Sequence, residues 1–115
     1  MTSLTSFDAN VRVAAIAAHA AWRERLAAAI AAGGAGLDPT AVAADDQCEL
    51  GRMLLRLGDA VGEPLAELRT EHARFHRHAA RIVQMAKDGR VAAAQRALEG
   101  EYEAISSELM RQLRT

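Results

Sequence analysis

Between about Pro64 and Asp88 the chain places Leu65, Leu68, His72, Phe75, His76, Ala79, Ile82 and Ala86 at steps of three and four residues, the spacing of an α-helix with one buried face. Two of these positions are histidines four residues apart. Their imidazoles stand one above the other on that face and can point at a single ion. An unpaired imidazole in an apolar stripe is costly, which gives the pair a reason to exist beyond packing. His78 lies two residues beyond His76, points elsewhere and is expected to be unliganded.

The rest of the chain predicts more helix. Half of the residues are hydrophobic but only 3% are aromatic, and alanine is the most frequent apolar residue. Alanine, leucine, arginine and glutamate favour helices and β-branched residues are sparse, so the fold class is all-α. Thr5 or Ser6 can cap a first helix with Asp8 in its first turn. Its stripe is Phe7, Val11, Ala14, Ala18, Trp22, Leu26 and Ala29, and Gly33 and Gly34 end it. His19 borders that stripe, and taken alone it reads as a partly buried histidine at a surface edge. Residues 33–46 form the only long connection, in which Asp38 and Pro39 start one helical turn.

Asp45 or Asp46 can cap the next segment, Asp46 and Glu49 having the spacing of a capping box, which puts Cys48 in a first helical turn. Unpaired N–H groups and the helix dipole there favour a thiolate. Gly51 lies on the same face, where it serves close helix packing, room for metal ligands, or both. Met53, Leu54, Leu55 and Leu57 add core mass before Gly58. A last helix runs from Val91 to about Leu113 and buries Ala94, Leu98, Tyr102, Ile105 and Leu109. The expected architecture is a four-helix bundle with a short extra helix in the long first connection, in one domain over residues 1–115.

Charge and composition exclude several functions. A net charge of −1 leaves no electrostatic footprint for nucleic acid or an anionic membrane. One cysteine permits no internal disulfide, and no signal peptide is recognisable at the N-terminus. The longest apolar stretch, Leu26 to Leu37, contains three glycines and is shorter than the ~20 residues of a membrane span. These features predict a soluble cytoplasmic protein. Ala73 after His72 rules out an HExxH metalloprotease helix, and no histidine has the glutamate three residues earlier that a di-iron bundle requires. A Ser/His/Asp set, a phosphate-binding glycine loop and a paired-carboxylate cleft are all missing, so no catalytic residues are assigned and the chain is not expected to be an enzyme.

What remains is a mononuclear His₃Cys site of His19, Cys48, His72 and His76. Three imidazoles and a thiolate in four-fold coordination favour Zn²⁺ over Cu(I), Co²⁺ or Fe²⁺, and four protein ligands leave no position for a metal-activated water. Glu71, Asp45 and Asp46 are the nearby acids that can accept a ligating imidazole's second N–H, if they are not caps or solvated charges.

His19 with Trp22, CELG at 48–51 and HARFH at 72–76 together resemble the chemoreceptor zinc-binding domain of bacterial cytoplasmic chemoreceptors and diguanylate cyclases, over nearly the whole chain from Phe7 to about Leu113. The resemblance implies one zinc inside a helical bundle, bound by His19, Cys48, His72 and His76. It also implies signalling in chemotaxis or cyclic-di-GMP control, with zinc level or oxidants such as hypochlorous acid as input. Met53 stands where the family often has an aromatic residue, which alters packing and removes no ligand. Many relatives carry an output domain, and this sequence reads as a stand-alone domain. It would then act through a chemoreceptor or cyclase partner or as a homodimer, its alanine-rich first helix packing against a second copy. Zinc buffering and a metal-free helical interaction module are the alternatives.

Overall fold

The computed structural model describes residues 9–44, 48, 50–52 and 63–114. The helices with full boundaries are α1 (Ala9–Ala31), α2 (Pro39–Ala43), α3 (Glu63–Lys87), α4 (Val91–Glu99) and α5 (Glu101–Arg114). Residues 50–52 are helical as well, and no strand occurs among the described residues. This is an all-α bundle in which α2 is the short extra helix of the first connection. The expected features at Thr5, Ser6, Phe7, Asp8, Asp45, Asp46, Glu49, Met53, Leu54, Leu55, Leu57 and Gly58 lie outside the described residues.

Helix α3 packs against α1, α2, α4 and α5. Its stripe is buried as the periodicity predicts: Leu68, His72, Phe75, His76, Ala79, Ile82 and Ala86 are all inside. Val83 and Ala80 widen the buried face, as suits a helix with neighbours on several sides. Phe75 and Tyr102 fill the middle of the core with ring centroids 5.4 Å apart.

Helix α1 differs from expectation in its rotation. Ala14 and Ala18 are exposed, and the buried face runs through Ala15, His19, Leu26, Ala29 and Ile30. Alanine surrounds this helix on all sides and so sets no preferred face. The large side chains Leu26 and Ile30, together with His19, decide which side turns inward. His19 therefore sits within the stripe, 1% exposed, and not at a surface edge.

Glycine ends α1 and α3 in the same way. Gly33 (φ 67°) donates to Ile30 O at 3.1 Å and Gly34 donates to Ala29 O at 2.6 Å, the pair of bonds of a Schellman cap. At the end of α3, Gly89 (φ 82°) donates to Ala86 O and Arg90 to Met85 O. The two ends meet. A Cβ on Gly34 would collide with the Lys87 side chain and stand 2.9 Å from its backbone nitrogen.

The last helix is broken where a single one was expected. Gly100 leaves helical geometry at ψ −96°, separating α4 from α5, while Gly100 N still donates to Arg96 O at 3.0 Å. Both halves keep the predicted buried face. Among the described residues no helix is long and apolar enough to cross a membrane.

Candidate metal centre

Two long helices and the segment around Cys48 bring four side chains together. Helix α1 contributes His19, and α3 contributes His72 and His76. Cys48 stands at a bend ahead of the helical residues 50–52. Its carbonyl accepts from Arg52 N at 2.9 Å and its Sγ accepts from Gly51 N at 3.3 Å. Cys48 thus caps the turn itself, where a position inside the first turn was expected. Leu50, fully buried in the core, anchors this turn and fixes where the sulfur lies.

His72 Nε2 lies 3.1 Å from both Cys48 Sγ and His76 Nε2, and His19 Nε2 lies 4.0 Å from Cys48 Sγ. One ligand atom from each of the four residues falls within 4.8 Å of every other. Tetrahedral zinc, with bonds of about 2.0–2.1 Å to nitrogen and about 2.3 Å to sulfur, sets neighbouring ligand atoms about 3.3–3.6 Å apart. The four side chains need only small adjustments to reach that figure.

Hydrogen bonds to carbonyls fix the two tautomers that matter. His19 Nδ1–H donates to Ala15 O at 2.7 Å and His76 Nδ1–H donates to Val42 O at 2.9 Å. Each neutral ring has then used its only N–H, so both Nε2 atoms present bare lone pairs to the same point as the sulfur. Converging lone pairs repel one another unless a cation lies between them, and three imidazoles with a thiolate form a donor set suited to Zn²⁺. Burial pushes His19 down from 6.5 to about 4, with His76 lowering it further and the Ala15 hydrogen bond partly offsetting this. Burial, then His76 and His19, lowers His72 from 6.5 to about 3. Both rings are neutral at pH 7, the state that binds metal.

Apolar rings enclose the histidines. The Phe75 ring lies 5.0 Å from His19 and 5.5 Å from His76, edge to face. Trp22 lies 6.2 Å from His76, and the Arg25 guanidinium covers it at 3.9 Å from the ring centroid.

The acids proposed as imidazole partners do not take that role where they are described. Glu71 is nearly buried and faces Arg74 at 3.6 Å, while Asp45 and Asp46 lie outside the described residues. The partners seen are main-chain carbonyls of Ala15 and Val42. The first lies four residues before His19, a spacing that could have suggested it, whereas Val42 O is available only because α2 folds back on α3. His78 is on another side of α3 and donates Nε2–H to Glu101 Oε1 at 3.2 Å, and its buried Nδ1 has no hydrogen-bond partner.

Comparison with curated proteins and with solved structures gave no significant match. The sequence profile of the chemoreceptor zinc-binding domain matches residues 19–83, more than half of the 115-residue chain. The matched span begins at His19 and includes Cys48, His72 and His76. This chain belongs to the chemoreceptor zinc-binding domain family.

Proposed function

We propose that His19, Cys48, His72 and His76 hold one Zn²⁺ and that the domain is a non-catalytic regulatory module of bacterial cytoplasmic signalling, responsive to zinc supply or to oxidants such as hypochlorous acid. An asymmetry of exposure carries this reading. His19, His72 and His76 are 1%, 1% and 3% exposed, whereas Cys48 is only partly buried, so an oxidant in solution meets the sulfur first. Bound zinc supplies positive charge that keeps the thiol deprotonated. The Gly51 N–H pointing at the sulfur favours the same state.

Attack of the Cys48 thiolate on hypochlorous acid forms an S–O bond and expels chloride, sulfur being oxidised and chlorine reduced by two electrons. The resulting sulfenic acid is a poorer donor than the thiolate. Cys48 then leaves the three histidines, and the turn that holds Leu50 and Gly51 is free to shift against α3. A chemoreceptor or a diguanylate cyclase fits as the partner that reads this shift. The outer face of α1, with Val13 66% exposed beside exposed Ala14, Ala17 and Ala18, supports packing against a second copy, and a dimer mass by light scattering at micromolar concentration is expected.

Native mass spectrometry before and after stoichiometric hypochlorous acid tests the switch. The untreated chain should carry one zinc, and addition of one oxygen should accompany its loss. Cys48→Ala should bind zinc more weakly by orders of magnitude and show no oxidant response. An unchanged metal content in Cys48→Ala would sink the mechanism.

A further inference from the structure

Helix α3 carries a second stripe, on a different face from His72 and His76. Arg74, Arg77, His78 and Arg81 follow at i, i+3, i+4 and i+7 and line one side of a half-open cleft of about 450 Å³. Ala43 of α2 and Glu101 and Ile105 of α5 complete the walls. Arg74 makes only a loose approach to Glu71 at 3.6 Å, and Arg77 and Arg81 form no ion pair among the described residues. Glu101 is the one carboxylate among the described lining residues, and it already accepts a hydrogen bond from His78. With Glu71 paired to Arg74, three guanidinium groups against two carboxylates leave an excess of one positive charge among the described residues. The whole chain has a net charge of −1, so the excess is local and not a reflection of a basic protein.

Shape and chemistry narrow the occupant. A cleft of this size lies in the range of small-molecule sites. Guanidinium forks match phosphate oxygens through paired, charge-assisted hydrogen bonds. Ile105 and Ala43 offer apolar surface to an organic body. We propose that the cleft between α2, α3 and α5 binds a phosphate monoester of small-molecule size, with Arg77 and Arg81 as its anchors, at a site separate from the zinc.

The test is a titration of full-length, zinc-loaded protein carrying ¹⁵N-labelled arginine, with inorganic phosphate and phenyl phosphate at constant ionic strength. The Nε signals of Arg74, Arg77 and Arg81 should move saturably, while that of exposed Arg96 on α4 should not. Arg77→Gln with Arg81→Gln should weaken binding at least about tenfold. Glu101→Gln, which removes the competing charge, should tighten it. Zinc content and melting temperature should stay unchanged in these variants, because the altered side chains are exposed. Equal, non-saturating shifts at all arginines, or undiminished binding in the double variant, would overturn the proposal. Flotation with phosphatidic-acid vesicles without binding of the free phosphates would also overturn it, by assigning the arginines to a lipid surface.

Discussion

His72 and His76 stand inside a 25-residue helix that touches four others, while Cys48 stands at a bend beside the buried Leu50 and Gly51, its sulfur accepting the Gly51 N–H. His19 belongs with the first group, since α1 is 23 residues long and Gly34, just past its end, is pressed against the end of α3. The ligands are thus unequal in how they are held. The three imidazoles are buried on two long helices, and the thiolate completes the site from its more exposed edge.

Replacing a ligand on each side separates the two roles. His76→Ala should have the largest effect, because it removes a ligand and leaves the Val42 carbonyl without its buried donor. Structural zinc contributes about 10–16 kcal/mol through four ligands, so losing one should weaken binding by roughly a hundredfold or more. The orphaned carbonyl should cost the metal-free protein a further 1–3 kcal/mol or so, measurable by urea denaturation. Cys48→Ala should lower zinc affinity comparably yet change metal-free stability by less than about 1 kcal/mol. Equal destabilisation by both substitutions would remove the distinction between a fixed side and a movable one.

The scaffold of the fixed side can be attacked away from the metal. Gly34→Ala forces a side chain into a left-handed backbone (φ 87°) and against the Lys87 main chain, at an expected cost of about 2–3 kcal/mol in the denaturation midpoint. Wild-type stability in this variant would mean that the junction of α1 and α3 is not what holds His19 opposite His72.

A subtler contrast is in pH. Folding holds His19 and His72 below their unfolded value of 6.5, so the unfolded chain binds protons that the folded chain refuses. Stability of the metal-free protein should be complete above pH 6.5 and decline as pH falls from there toward 4 and 3, by up to about 1.4 kcal/mol per pH unit for each histidine. Urea midpoints in chelator between pH 8 and 5 measure this slope. A flat profile would mean that the rings are not buried in the metal-free state.

The legibility of these parts in the sequence follows their chemistry. The stripe of α3 mixes leucine, isoleucine and phenylalanine with charged residues, so its phase was readable and its described members are buried as expected. The stripe of α1 was misplaced at Ala14 and Ala18 because a methyl group costs almost nothing to expose or to bury. The break at Gly100 passed unread, since a glycine inside a periodic segment is compatible with an unbroken helix. At the metal centre His72 and His76 stand out by their spacing, whereas His19 and Cys48 are singled out by side-chain type together with the resemblance of their motifs to a known family. Their supports could not be named in this way: a backbone carbonyl exists at every position, and nothing in Val42 itself marks its oxygen as the partner of His76.

Zinc K-edge X-ray absorption of the reduced, zinc-loaded protein tests the central claim most directly. The expected shell has three nitrogen scatterers at about 2.0–2.1 Å and one sulfur at about 2.3 Å, with imidazole multiple scattering. A shell of nitrogen and oxygen alone, with no sulfur contribution, would contradict it.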